Sequence, residues 1–334
     1  MAQNYYGLDI GTSNFKMCSK DKILNEKNVI AIEHGSVMKA FGDEAYEMYE
    51  KAPESIDVIF PVKDGVIGDI NDMQNLFYNF LNKVNDGKKV SANSEFYIAI
   101  PFSVTEVEKR AFSALVKNSK VKSKAVFIVD KPIADAIGAG LDVTSSKGIM
   151  VVNIGATKTE ISVLNLGGIV KSMTIKTGGN NLDEAIISAI RKEYNLLIGH
   201  KTAEKLKIQL GSAVKPEEEK TAFAFGRNVL TGLPVSVEVE SKVVFNAIID
   251  PLHTIMDAIK QVLEKTPPEL AADIISDGIY MTGGTSQVAG LSQFIYGETN
   301  LAANIVENPS ESIVRGLNGL VTNPEYAKLA KTPD

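Results

Sequence analysis

Two short stretches of this chain carry the same arrangement of chemical groups. Gly7-Leu8-Asp9-Ile10-Gly11-Thr12-Ser13-Asn14 and Val152-Asn153-Ile154-Gly155-Ala156-Thr157-Lys158-Thr159 each pass from apolar, strand-forming residues through Asp or Asn into a glycine turn. A glycine turn exposes backbone N–H groups, and such groups bind phosphate oxygens. A carboxylate beside that turn, here Asp9, can hold the water shell of Mg²⁺. One such unit in each half predicts two similar halves, each with a phosphate-type loop. The pair Gly283-Gly284 is a further place where a ligand can approach the backbone closely.

The rest of the chain must position these turns. Residues 5–32 read as a β-meander, with strands at Tyr6 to Ile10, Phe15 to Ser19 and Val29 to Ile32. Asp43 to Tyr49 reads as a short helix. Met73, Leu76, Phe77, Phe80, Leu81 and Val84 recur at helical spacing and predict an amphipathic helix over 72–84. Phe96 to Ile100 and Ala125 to Val129 read as buried strands. Thr105 and Glu108 form a capping box for a helix reaching about Lys117, and Pro132 opens another helix at its first position. The second half repeats the order, with strands at Ile149 to Ile154, Thr159 to Leu164 and Val170 to Ile175, and a helix marked by Leu182, Ile186, Ile187, Ile190 and Tyr194. Thr202 is expected to cap a helix through Gln209. Strands are expected at 222–230 and 235–240, a long helix over 242–264, a capping box at Thr266-Pro267-Pro268-Glu269, and a strand from Gly278 to Met281 running into Gly283-Gly284. Alternating strands and helices predict an α/β fold.

Composition narrows the function classes. The 334 residues, 44% hydrophobic and 23% charged, fit a globular protein of about two domains. The net charge of −6 disfavours nonspecific nucleic-acid binding, which needs a basic face. Cys18 is the one cysteine, so no intramolecular disulfide forms, which suits a reducing cytoplasm. The start, Met1-Ala2-Gln3-Asn4-Tyr5-Tyr6, has neither the basic nor the apolar region of a signal peptide, and no apolar run reaches transmembrane length. Scarce arginine beside abundant Lys, Ile and Asn is the bias of an AT-rich bacterial genome. The run Lys215 to Lys220 reads as a solvated turn.

At these residues the chain resembles the MreB family of bacterial actins over nearly its whole length. The shared strings include Gly7-Leu8-Asp9-Ile10-Gly11-Thr12, Lys63-Asp64-Gly65-Val66-Ile67, Thr105-Glu106-Val107-Glu108-Lys109-Arg110, Leu166-Gly167-Gly168-Ile169-Val170, Thr231-Gly232-Leu233-Pro234 and Leu263-Glu264-Lys265-Thr266-Pro267-Pro268-Glu269. The resemblance implies an actin-like, ribonuclease-H-like duplicated fold with two lobes and four subdomains around a nucleotide cleft. It places the core of lobe I at 1–32, 71–143 and 317–334 and its outer subdomain at 33–70. It places the core of lobe II at 144–179 and 247–316 and its outer subdomain at 180–246. It implies ATP as cofactor with Mg²⁺ binding weakened, head-to-tail protofilaments of the chain with itself or with paralogues, a role in cell shape or motility, and a cytoplasmic location at the inner face of the membrane. Attachment to that membrane is not expected to use the short N-terminus or the polar loop Asn85 to Ser94, apart from lysine contacts to anionic lipid.

Carried over position by position, Gly11, Thr12, Ser13 and Asn14 match the family's first phosphate loop. Asp9 matches the residue near the metal. Gly155, Ala156 and Thr157 stand in the second loop. Gly283, Gly284 and Thr285 match the adenosine turn, whose third glycine is Thr285 here. Glu204 and Lys207 match positions that flank purine and ribose, or else form a surface ion pair, and Gly179 is expected to line the cleft. Lys16 is read either as a phosphate contact or as a solvated strand lysine.

The departures are more informative. The family's second loop reads Asp-Ile-Gly-Gly-Gly-Thr-Thr-Glu, whereas this chain has Asn153-Ile154-Gly155-Ala156-Thr157-Lys158-Thr159-Glu160. The family's Glu-Glu-Pro is Asp130-Lys131-Pro132, so the glutamate that polarises water becomes Lys131. Asp130 sits one residue early and is not expected to replace it. Asp→Asn, Glu→Lys and Thr→Lys together raise the net charge by four, removing two carboxylates and adding two ammonium groups. A lysine ammonium cannot accept a proton from water, so the resemblance implies an ATPase whose hydrolysis is strongly impaired. Two arrangements stay open: Lys131 and Lys158 contact the γ-phosphate, or they turn away or pair with Asp9 and block the site. A fully active ATPase with a rearranged base and a non-polymerising partner of active paralogues are the competing functions.

Overall fold

In the computed structural model the two glycine turns sit at equivalent places in two sheets of the same topology. The structure describes residues 4–20, 22–119 and 121–333; the reading of Met1 to Gln3 as neither leader nor anchor falls outside them. The chain divides into two compact units. One comprises Met1–Ser146, Leu164–Ile169 and Ser310–Asp334, and the other Lys147–Val163 and Val170–Pro309.

The sheet of the first unit runs Ala125–Asp130, Glu95–Ile100, Tyr5–Ile10, Asn14–Ser19, Lys22–Lys27. Its first three strands are parallel, and Tyr5–Ile10 and Asn14–Ser19 form an antiparallel hairpin around Gly11. Tyr5–Ile10 is buried along its whole length, as expected for a central strand covered on both faces. The helix Ile70–Val84 buries Met73, Leu76, Phe77, Phe80, Leu81 and Val84, the residues whose spacing predicts it. Phe80 stacks on Phe15 with ring centroids 4.9 Å apart. The capping box forms as expected: the Glu108 amide donates to Thr105 Oγ1 while the Thr105 amide donates to the Glu108 carboxylate. A smaller sheet joins Val37–Phe41, Ile30–Glu33 and Ile56–Ile59.

The sheet of the second unit runs Gly168–Ile175, Thr159–Asn165, Ile149–Ile154, Ile279–Thr282, Ala303–Ile305. The order repeats: three consecutive strands, then two later strands added parallel beside the first of them. Helices Gly179–Tyr194 and Ser241–Glu264 pack with it around a core that includes Val152, Ile186, Ile190, Ile248 and Met281. A second, three-stranded sheet holds Leu196–Leu197, Thr221–Asn228 and Pro234–Glu240.

Three local expectations are corrected. The third strand of the meander is Lys22–Lys27, and Ile30–Glu33 belongs to the smaller sheet. The helix expected to start at Thr202 runs His200–Leu210 with Gly199 as its N-cap, so Thr202 lies inside it. The capping box at Thr266 does not form. The helix is Pro268–Asp277, capped by Pro267 without a side-chain bond, and Thr266 Oγ1 instead donates to the Val262 carbonyl, closing the preceding helix.

Candidate functional site

The two turns are built by the same backbone bond. The Gly11 amide donates to the Asn14 carbonyl at 3.0 Å, and the Gly155 amide donates to the Lys158 carbonyl at 2.9 Å. A Cβ at Gly11 would stand 2.7 Å from the Asn14 oxygen, so that turn needs glycine, and one at Gly155 would stand 3.1 Å from the Lys158 oxygen, a tight contact.

In the first unit, parallel pairing sets Asp9 level with Ala99, and Ala99 level with Val129. Asp9 therefore lies at the carboxyl ends of the strands, where open α/β sheets bind ligands. The next helix, Lys131–Gly138, begins directly after Asp130, and its first residue reaches back over the sheet. Lys131 Nζ lies 2.9 Å from Asp9 Oδ1. From the other side, Lys16, paired opposite Asp9 in the hairpin, places Nζ 3.2 Å from Asp9 Oδ2. The Asp9 side chain is 3% exposed, that of Lys16 13% and that of Lys131 14%. Burial alone would push the Asp9 carboxyl up, but Lys131 and Lys16 outweigh it and hold it down at about 2. Of the two arrangements left open for Lys131, the structure contains the pairing with Asp9. Lys16 is an inward ion-pair partner, not a solvated strand lysine. Asp130 is turned away to Lys331, at 3.0 Å.

The turn residues are tied into their own unit. Thr12 Oγ1 accepts the Gly65 amide at 3.0 Å. Ser13 Oγ donates to Asn14 Oδ1, and Asn14 Nδ2 donates to Asn25 Oδ1. Two contributors escaped the sequence reading. Asn28, fully buried, donates from Nδ2 to the Gly11 carbonyl at 2.7 Å. Lys27 Nζ stands 3.4 Å from Ser13 Oγ and over the Tyr46 ring. The signal for Asn28 was its place at the end of the polar run Asn25-Glu26-Lys27-Asn28, immediately before the buried Val29-Ile30-Ala31.

In the second unit, the carbonyls of the Gly155 turn are fastened by the Gly179 amide at 2.9 Å, the Asn180 amide at 2.7 Å and Thr285 Oγ1 at 3.0 Å. Thr285 thus occupies its position with a bond to the turn that a glycine could not make. Gly283 has φ +81°, and a Cβ there would collide with the Ile154 carbonyl and approach Asn153 Oδ1. The helix Gly179–Tyr194 is joined to the helix His200–Leu210 through Lys207, whose Nζ donates to Asp183 Oδ2 at 2.8 Å and to the Gly179 carbonyl at 3.1 Å. Burial pushes the Asp183 carboxyl up against the opposing pull of Lys207, and the Glu204 charge adds to the rise. Lys207 therefore pairs with Asp183 and not with Glu204. Lys158 forms no ion pair among the described residues, and Ala156 and Thr157 are half-buried at the turn.

The donor set does not fit a Mg²⁺ site of the kind the resemblance implies. Both Asp9 oxygens are engaged by ammonium groups. Among the described residues no group of three or more His, Cys, Asp or Glu is arranged to hold a metal.

A duplicated five-stranded α/β core with one glycine turn per copy defines an actin-like protein. The solved structure of MreB 5 of Spiroplasma citri bound to AMPPNP matches it with a TM-score of 0.90 at 29% identity, over 98% of both chains. The chain matches the MreB/Mbl protein family over residues 3–328. It is 37% identical over 320 residues to the cell shape-determining protein Mbl of Bacillus subtilis (strain 168), covering 95% of each chain. It is 34% identical over 323 residues to the cell shape-determining protein MreB of Escherichia coli (strain K12), covering 95% of this chain and 92% of that one. The chain belongs to the MreB/Mbl family.

Proposed function

We propose that this chain is a bacterial cytoskeletal protein that binds ATP at its glycine turns, assembles into filaments that determine cell shape, and hydrolyses ATP slowly or not at all. Its relatives Mbl and MreB are named cell shape-determining proteins, and MreB 5 of Spiroplasma citri carries AMPPNP in one structure. The observation that carries the hydrolysis part is Lys131. It stands where the family pattern has the water-polarising glutamate, with its ammonium 2.9 Å from Asp9 Oδ1. An ammonium has donors and no acceptor, so it cannot take the proton of an attacking water. The phosphates are assigned to Gly11–Asn14 and to Gly155–Thr157, and the adenosine to Gly283, Gly284 and Thr285 with Gly179, Glu204 and Lys207 nearby.

The test is sedimentation with electron microscopy, using no nucleotide, ATP or AMPPNP, alone and with an active MreB relative. The expected result is filaments, with the same pelleted fraction in ATP as in AMPPNP, because filament lifetime is not timed by hydrolysis. Monomers in every condition would overturn the filament reading. Pelleting only with the relative would make the chain a co-assembling partner.

A further inference from the structure

The small sheet of the second unit turns aromatic rings towards solvent. Its hairpin, Thr221–Asn228 with Pro234–Glu240, alternates along its length. Ala222, Ala224, Val237 and Val239 face inward, and Ala224 and Val239 are fully buried in the core. The opposite face carries Thr221, Phe223, Phe225 and Arg227 on one strand, level with Glu240, Glu238, Ser236 and Pro234 on the other. All of these are exposed, Phe223 at 58% and Phe225 at 64%. A strand with one solvated face normally places polar side chains there, and adjoining exposed apolar groups mark an interaction surface.

The charges on this face select the occupant. Arg227 stands at one end and Glu238 and Glu240 at the other, with the two rings between them. Thr221 Oγ1 donates to the Glu238 carboxylate and holds it on the face. Among the described residues neither Arg227 nor Glu240 has an ion-pair partner. Arg227 is six residues along the strand from Thr221, the residue level with Glu240. That separation is about 20 Å, so the two charges cannot pair within one chain. A face with a cation at one end, anions at the other and rings in the centre is complementary to itself. A two-fold axis running across the strands lays Phe223 of one copy on Phe225 of the other and sets each Arg227 beside the other copy's Glu240. Stacked sheet faces lie about 10 Å apart, within reach of such side chains. The carboxylates disfavour an anionic lipid surface.

We propose that this face joins two copies of the chain face to face as a two-fold pair. The pairing goes beyond the filament reading and needs no nucleotide. So small a face buries less than the roughly 1,200 Å² of a stable specific interface. The pair is therefore weak, with an expected dissociation constant of about 10–100 µM.

Sedimentation velocity of the full chain over a concentration series tests this, without nucleotide and after any polymer has been pelleted. A reversible monomer–dimer equilibrium is expected. Phe223→Thr with Phe225→Thr keeps strand-forming residues and is expected to weaken the pair by about tenfold or more. Arg227→Glu sets like charges together and is expected to weaken it by about tenfold. Adding Glu240→Arg to that variant is expected to restore the wild-type constant to within about threefold, a rescue that only contact between copies can give. Should the aromatic variant fail to fold, as circular dichroism would reveal, the wild-type series and the charge exchange decide. A monomer at every concentration, or a dimer indifferent to both the aromatic and the charge substitutions, would overturn the proposal. Flotation with phosphatidylglycerol vesicles that is lost in the aromatic variant would assign the face to lipid and overturn it as well.

Discussion

At Asp9, two lysines reverse what burial would do to a carboxyl group. Its folded value of about 2 lies below the ordinary 3.8, so the ionised form favours the folded state. The sign follows directly: this contribution is fully present above pH ~4 and is lost as pH falls from there towards ~2. Its size is ~2 kcal/mol. Asp9→Asn leaves two ammonium groups facing each other with no anion, a loss expected to cost ~3–5 kcal/mol at neutral pH. Lys131→Met keeps the Asp9–Lys16 pair and should cost clearly less. Urea unfolding at pH 7 ranks the two variants, and repeating it in acid should show the wild type losing its advantage over Asp9→Asn between pH ~4 and ~2. Equal midpoints for the two variants, or an advantage independent of pH, would mean that the Asp9 charge is not held by these lysines. The sequence made Asp9, Lys16 and Lys131 visible as chemistry-bearing residues. Their meeting was not visible, because it depends on the parallel register that sets Asp9 level with Val129, two residues before Lys131.

Lys131 is positioned by its helix, and that helix is fixed by an unusually close crossing. Within the first unit, Lys131–Gly138 packs on Ser312–Thr322 so tightly that a Cβ at Gly138 would overlap the Ser312 carbonyl and one at Gly316 the Ala134 carbonyl. Both obstacles are backbone, which cannot rotate away as a side-chain end can. Gly316→Ala should therefore destabilise the protein by ~3 kcal/mol or more, read as a lowered unfolding midpoint in calorimetry. Gly297→Ala is the control, since a Cβ there meets nothing within 4 Å. If Gly316→Ala behaves like that control, the crossing does not fix the helix. Element by element, legibility followed local signals. The capping box at Thr105 and Glu108 and the apolar spacing of Met73 to Val84 were readable because their partners lie within a few residues. Lys22–Lys27 was missed because its alternation Ile23, Leu24, Asn25, Glu26 is broken and its partner strand lies across a turn. Thr266 misled because its hydroxyl could either accept from an amide of the next helix or donate to the Val262 carbonyl of the helix it ends, and it does the second.

Across the whole molecule, the duplicated sheet order and the matching bonds at Gly11 and Gly155 show the same glycine-turn architecture in both halves. The changes fall on the side chains that would act on water and metal. Asn153 and Lys131 remove carboxylates, Lys158 adds a cation, and Thr285 replaces a glycine while bonding back to the turn. On the function proposed above, such a chain is expected to use nucleotide as a structural ligand. The fold was legible because the glycine strings and the apolar runs specify it redundantly. The fate of the site was not, since Lys131 could pair or project, and only the packed helix decides between these. The central claim is slow hydrolysis with a local cause, and phosphate release under steady-state ATP and Mg²⁺ measures it most directly. The wild type should release phosphate at a rate roughly 10²–10⁴ below that of an active MreB, the usual range for a missing general base. The double substitution Lys131→Glu with Lys158→Thr should raise the rate measurably, with Asn153, Ala156 and Thr157 limiting the gain. A wild-type rate equal to that of an active MreB, unchanged by the double substitution, would contradict the account.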